Sequence, residues 1–283
     1  GNDYWVDPTI SLQGGSFEKM CVPDFGVALV VGDDSGDLMD MNVKDTITRV
    51  EIMEEFTFAD FEKPGFLTVE TKHYGLVADN MRGVLDYISR KELSDELRQR
   101  YGRVFSGIQK DELVEIEDDE ENNIITTTET YFLVNPWKYQ DYEGYTATQF
   151  RYEPVELYNY IGQSECEKKK HPVYIPFPAK ISQTTVLNLP EKLPLEDSKK
   201  RYDNAAFTYI HRITPIKPNV VLMNYDFYTK SDEVSPAQFV HVCSDMNEIS
   251  SEISLTLTYS KPKIDSEKFR KALKEWKPGY LRD

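Results

Sequence analysis

Two stretches of strict alternation constrain the fold of this chain more than any other feature. "TRVEIMEEFTF" (48–58) and "GFLTVETKHY" (65–74) are separated by "ADFEKPG", a segment rich in turn formers. Period-two patterning puts successive side chains on opposite faces of a pleated strand, so each run buries one face and exposes the other. Two such runs across a short Gly- and Pro-containing connection read as an antiparallel hairpin.

Beyond the hairpin the period changes. "ADNMRGVLDYIS" predicts a helix with Met81, Val84, Leu85 and Ile88 on one face. A second helix is predicted from Ser89, whose spacing to Glu92 makes a capping box, with Leu93, Leu97, Tyr101 and Val104 as its apolar side. "DELVEIE" and "NIITTTETYFLV" read as strands around an acidic turn, and a Tyr-rich connection covers 138–152. The scheme then partly recurs. "AAFTYIHRITPIKPNVVLMNYDFYTK" reads as strand, Pro-marked turn and strand. "SPAQFVHVCSDM" reads as a helix with Ser235 as N-cap and Pro236 in its first turn, and "EISSEISLTLTYS" as an alternating strand.

A hairpin–helix–strand unit thus occurs twice by pattern, over about 45–134 and 180–260. The expected fold class is α+β and β-rich: an antiparallel layered or sandwich-like sheet domain with a few helices. That domain is assigned to 42–260, with 138–152 as the place where it would divide, and 261–283 to a helical tail carrying Phe269, Leu273 and Trp276 on one side. Residues 1–41 read separately, as a strand ("DYWVDP"), a loop, and an apolar run of buried-strand length ("GVALVV", 26–31) that turns at "GDDSG". This is too little to bury a core of its own.

Composition excludes several classes. Thirty-three basic against 49 acidic residues give a net charge of −16, a field that repels a phosphate backbone, so no nucleic-acid partner is expected. No apolar run is long enough for a transmembrane segment. Eighteen Tyr and 14 Phe suit half-buried sheet surfaces. The acidic run "DELVEIEDDEENN" reads as a solvated strand end and turn. Its alternative, a calcium site, lacks the ligand spacing and central Gly of an EF-hand loop.

Candidate chemistry is sparse. His73, His171, His211 and His241 show no metal-ligand spacing, and no cofactor or metal is expected. Cys21, Cys166 and Cys243 lie far apart with no CxxC, so no disulfide framework is readable. His241 and Cys243 sit two residues apart on a predicted helix and therefore do not face each other; Cys243 reads as core. "QGG" and "GDDSG" lead into no helix and cradle no phosphate. Asp7 remains, at the end of a short run, next to Trp5 and followed by Pro8. A carboxylate placed there can orient an imidazole, and it can equally close an Asx-turn.

"YWVDPT" resembles the motif that ends the catalytic core of transglutaminase-like proteins, a papain-like superfamily using Cys, His and Asp in that chain order. "DYWVDPTISLQGGSFEKMCVPDFGVALVV" is similar to the core's exit in a bacterial subgroup in which one β-rich domain of unknown function precedes the core and another comes after it. "HYGLVADNMRG", "NNIITTTETYFL" and "PAQFVHVCSDM…SLTLTYS" resemble that second domain. The resemblance implies that 1–41 is the C-terminal end of the core and that Asp7 is the third triad member. The nucleophilic Cys and the His would precede Gly1, so the implied partner is an upstream catalytic core of the same parent protein, acting on amides of peptides or proteins. It further implies a chain inactive alone and an exported, periplasmic or cell-envelope location. The competing expectation is a non-catalytic β-rich binding or scaffolding module, in which surface Tyr of "WKYQDYEGYTATQFRY" would contact carbohydrate or protein.

Overall fold

The alternating runs form the two strands their pattern requires, and they become the centre of a much wider sheet. The computed structural model describes residues 5–31, 37–41, 43, 48–158, 161, 166 and 169–262. The predicted "GDDSG" turn and residues 263–283 of the predicted helical tail lie outside these residues, while 261 and 262 complete a strand. In chain order the first half contains β1 (Val27–Leu29), β2 (Leu38–Asp40), β3 (Thr48–Thr57), β4 (Gly65–Tyr74), α1 (Leu76–Tyr87), α2 (Arg90–Gly102), β5 (Ile108–Lys110), β6 (Glu115–Asp119) and β7 (Ile124–Leu133). Next come β8 (Lys138–Tyr142), β9 (Tyr145–Tyr152), α3 (Val155–Tyr158), β10 (Val173–Tyr174), β11 (Ala179–Asn188) and β12 (Ser198–Asp203). The chain continues through β13 (Phe207–Lys217), β14 (Val220–Thr229), β15 (Glu233–Val234), α4 (Pro236–Glu252) and β16 (Leu255–Pro262). The protein is α+β and β-rich, as its patterning predicts.

Among the described residues, nine strands form one sheet in the order β12-β13-β14-β11-β3-β4-β7-β5, with β6 also on β7. Every pairing is antiparallel except β3 with β11, where Glu54 stands opposite Thr185. That parallel ladder joins strands from the first half of the chain to strands from the second. The predicted Tyr-rich connection is itself a hairpin: β8 and β9 pair with each other around Gly144, and β16 joins β9 to make a three-stranded sheet. Gly144 adopts the left-handed φ that a tight two-residue turn demands.

The inward face of the large sheet carries Val50, Ile52 and Phe56 from β3, Leu67 and Val69 from β4, and Ile125, Tyr131 and Leu133 from β7, all buried. Against it pack β9 and the helices. Phe56, Phe58, Phe105, Trp137 and Phe150 interlock, with Phe58 and Phe150 edge-on at 4.8 Å, the geometry that aromatic quadrupoles favour. Helix α4 starts at the predicted N-cap Ser235, which forms a capping box with Gln238, and contributes buried Phe239, Val242 and Ile249.

Three local expectations are corrected. Residues 5–7 join no sheet, because Pro8 and an Asx-turn stop the chain and no described strand lies alongside. Residues 26–31 contribute only the three-residue β1, paired with β2, and their side chains are largely exposed rather than buried. Helix α1 turns a polar face inward: Ala78, Asp79 and Arg82 are its buried residues, while Val84 of the predicted apolar stripe is exposed. Leu85 and Ile88 of the stripe do pack, against Leu93, Leu97 and Val114, so α1 uses a polar and an apolar side at once.

Cys166 and Cys243 form a disulfide across 77 residues of sequence. Cys243 is fully buried, as expected of core, but it is half of a covalent crosslink that its spacing did not reveal.

Candidate functional site

Asp7 sits in the segment leading to β1. Trp5 anchors this stretch by donating from Nε1 to the Met41 carbonyl at 2.7 Å. The Asp7 carboxylate accepts from the Thr9 hydroxyl at 2.6 Å and from the Thr9 backbone N–H at 2.9 Å, closing an Asx-turn. These two bonds, the hydroxyl's first, hold its pKa below the usual carboxylate value. Among the described residues, Asp7 makes no hydrogen bond to a histidine. It is a preorganised, ionised carboxylate at a surface turn.

The stretch after Asp7 is locked onto α1 and the turn between β6 and β7. The Gly14 N–H donates to Asp79 Oδ1 at 2.9 Å, and the Gly15 N–H to the Glu120 carbonyl at 2.7 Å. Lys19 Nζ reaches Asn122 Oδ1. Beneath Gly14 lies the Arg82 guanidinium. It donates to Asp79 Oδ1 at 2.9 Å and to Asn123 Oδ1 at 2.6 Å, and it engages both oxygens of Asp118 at 2.7 and 2.9 Å. A Cβ on residue 14 would stand 2.5 Å from Arg82 Nη1, so only glycine lets the backbone approach this closely. Gly75, at φ +58, likewise leaves room for Cys21 Sγ. Burial raises the Asp79 pKa, opposed by the Gly14 N–H, Asn123 and Arg82 in turn. The acidic run that reads as solvent-facing therefore supplies Asp118 and Asn123 to the Arg82 guanidinium.

A second polar cluster is buried under the central sheet. Glu54 is wholly inaccessible and accepts from Tyr101 Oη at 2.7 Å, Thr185 Oγ1 at 2.9 Å and Tyr152 Oη at 3.0 Å. Glu129 lies in the same inward row, both residues pairing with Val69 of β4, and accepts from Tyr131 Oη. Burial pushes each carboxyl from 4.5 to about 7, against hydrogen bonds that act the other way. Glu156 on α3 pairs with Arg100 of α2 at 3.0 Å. Near these groups, a cavity of about 430 Å³ is lined by His73, Arg100, Arg103 and Glu156. Burial lowers the pKa of His73 to about 4, so its ring is neutral at physiological pH. The cluster can hold protons near neutrality, but Glu54 has no path to a substrate.

Glu54 carries a testable linkage. A carboxyl raised on folding contributes stability that is complete below its unfolded pKa and is lost as pH rises through the folded one. For Glu54 that window runs from 4.5 to about 7. The stability of wild type relative to Glu54→Gln should then fall by about 3 kcal/mol as pH rises through the window, at about 1.4 kcal/mol per pH unit. His73 and His211, both lowered to about 4 by burial, act in the opposite sense, losing stability as pH falls. They cancel when the two proteins are compared at each pH. Urea titrations across this range giving a pH-independent difference would refute the linkage.

Sequence reasoning passed over both clusters, although for the second a signal was present in each of its two strands. Glu54 falls on the inward phase of Val50, Ile52 and Phe56, and Glu129 on that of Ile125, Thr127 and Tyr131. A carboxylate in the buried phase of an alternating strand requires partners. The partners themselves lie between 2 and 131 residues away. Of the residues weighed for catalysis, the structure brings none together: Asp7 is at the surface turn, Cys21 is buried against Gly75, His241 is exposed on α4, and Cys243 is in the disulfide. No group of three His, Cys, Asp or Glu among the described residues is placed to hold a metal ion, and no helix among them is long and apolar enough to cross a membrane. No protein-family model, curated protein or solved structure matches this chain.

Proposed function

We propose that this chain is the C-terminal portion of a transglutaminase-like cysteine protein, with Asp7 as the acid that orients a histidine supplied by an upstream catalytic core. One observation carries the reading. The segment bearing Asp7 is fastened to the β-rich domain through Gly14 and Gly15, while the residues just beyond it present uncovered apolar side chains, with Phe25 71% and Leu38 65% exposed. Val27, Leu29 and Met39 of the β1–β2 hairpin are exposed as well. Apolar side chains grouped in this way belong against another layer of protein, and the occupant in this proposal is the upstream core. The β-rich domain then acts as a brace that fixes where the core ends and how Asp7 is presented.

The chemistry assigned to Asp7 requires an ionised carboxylate held in one orientation, which the paired bonds from Thr9 provide. In a triad such an acid accepts from the imidazole N–H, sets its tautomer and stabilises the imidazolium that forms as the nucleophile loses its proton. Without nucleophile and base a triad retains essentially none of its chemistry. The purified chain is therefore expected to show no amide hydrolysis or acyl transfer, and turnover that is abolished by Cys21→Ser would overturn the assignment. The burial of Cys21 fits this expectation. An oxidising, extracytoplasmic location is supported by the Cys166–Cys243 disulfide, since such bonds persist where thiols are not kept reduced.

The coding sequence upstream of Gly1 supplies the decisive test. A Cys at a helix start, then a His about one hairpin before Asp7, is the expected result. Other residues at both positions would remove the enzymatic reading and leave the β-rich domain as a binding or scaffolding module.

A further inference from the structure

The three-stranded sheet carries a feature at odds with the rest of the molecule. On a chain of net charge −16, a cleft of about 430 Å³ is lined by Arg103, Lys138 and Arg151, with Glu153 as its one carboxylate among the described residues. Glu153 is already engaged by Arg151 Nε at 2.5 Å. Gathering cations around a concave site gives it a positive potential that the surrounding acidic surface does not share. The volume falls within the usual range of small-molecule sites.

Half of the remaining lining carries side chains that hydrogen-bond to hydroxyls, and the other half is apolar. Gln140 and Gln149 enter the cleft from β8 and β9, and Thr256 from β16. Their neighbours fix how the amides are presented. Tyr142 Oη donates to Gln140 Oε1, leaving that amide N–H₂ to donate, and Gln149 Nε2 donates to Thr258 Oγ1 at 3.2 Å, leaving its carbonyl to accept. Among the described residues the cleft therefore offers both donors and acceptors on rigid strands.

The same face continues into an aromatic platform. Because paired residues of an antiparallel ladder share a face, the Lys138–Gln149, Gln140–Ala147 and Tyr142–Tyr145 pairs place the cleft and the two tyrosines on one side of the sheet. Tyr142 and Tyr145 stack with centroids 4.8 Å apart and planes 11° apart, and both are exposed. A pyranose ring presents an apolar C–H face that packs on such a ring, an edge of hydroxyls that amides read, and, in an acidic sugar, a carboxylate that a guanidinium grips. We propose that this cleft and the adjoining tyrosine pair bind an acidic oligosaccharide, the carboxylate lying among Arg103, Lys138 and Arg151 and a neighbouring ring on Tyr142 and Tyr145. The proposal is independent of the role given to Asp7.

The test uses the purified chain on an array of uronate- and sialate-containing oligosaccharides, then calorimetry with the tightest ligand, its carboxyl-reduced form, citrate and an oligothymidylate. Binding of an acidic oligosaccharide is expected. Removing its carboxylate, or introducing Lys138→Gln together with Arg151→Gln, should weaken it by about tenfold or more, the factor that losing one charge-assisted hydrogen bond produces. Tyr142→Ala with Tyr145→Ala should weaken it as well. All four side chains are exposed or line the open cleft, so the variants should keep the wild-type circular dichroism and melting temperature. If no acidic saccharide on the array binds, or if binding survives both double variants unchanged, the proposal fails. Citrate binding as tightly would reduce the cleft to a simple cation patch, and tighter binding of the oligothymidylate would assign it to nucleic acid; either result overturns the saccharide reading.

Discussion

Arg82→Ala is expected to lower the unfolding free energy by about 3–5 kcal/mol, the cost of leaving one member of a buried ion pair without its partner. Asp79 has almost no exposed side-chain surface and Arg82 little more, so water cannot replace what the substitution removes. The loss extends past one pair, because the same guanidinium also serves Asp118 and Asn123. Lysine should rescue poorly, since a single ammonium cannot reproduce a planar fork that reaches three partners. Two further readouts separate this account from simple cavity formation. Asp79 already has a raised pKa from burial, and removing the cation raises it further; the penalty of Arg82→Ala should therefore shrink as pH falls and Asp79 takes up a proton. Combining Arg82→Met with Asp79→Asn, which leaves no buried charge, should recover much of the stability lost by Arg82→Ala. Urea denaturation at several pH values measures all three. A penalty under about 1 kcal/mol, typical of an exposed salt bridge, would show that the lock is ornamental to the fold.

Loss of the Cys166–Cys243 bond is the other large effect expected. The crosslink closes a loop of 77 residues, and the chain-entropy estimate for such a loop is about 4 kcal/mol. The loop contains β11 to β14, four strands of the large sheet, together with the start of α4. Reduction frees these strands in the unfolded chain, raising its entropy, while the native packing of Phe239, Val242 and Ile249 on α4 is left in place. Cys166→Ser with Cys243→Ala should therefore reduce stability by about 4 kcal/mol while preserving the native circular dichroism spectrum. Chemical reduction of wild type should reproduce most of that loss, whereas the double variant should be insensitive to the reductant. Equal stability of oxidised and reduced protein would contradict the crosslink's assigned role.

The candidate site was legible in the sequence only in part. "YWVDPT" singled out Asp7, and the structure supplies the Thr9 bonds that orient its carboxylate. The Gly14–Asp79–Arg82 lock could not be read from the chain. Its members are spaced 65 and 3 residues apart, and Asp118 is a further 36 from Arg82. On α1 the apolar stripe held for Leu85 and Ile88, which pack against Leu93, Leu97 and Val114, whereas the buried charged positions, Asp79 and Arg82, were set by a network that no helical period encodes. The Tyr-rich stretch 138–152 looked like a connection since its aromatics and charges alternate without a clean apolar phase. It is a hairpin whose two faces are both used, one for core and one for the open cleft.

Sequence alone determined what depends on neighbours within a few positions. The β3–β4 hairpin, the β13–β14 hairpin, the capping box at Ser89 and the N-cap at Ser235 all arise from local pattern, because strand alternation and helix capping are decided by side chains two to four residues apart. Tertiary structure alone decided which strands meet and which polar groups share an interior. The parallel ladder of β3 with β11, the hydroxyl cage of Glu54, the Arg82 lock and the Cys166–Cys243 bond each join residues distant in sequence. Their partners are chosen by burial, where an unpaired charge or donor costs several kcal/mol and so forces a pairing that no local pattern specifies.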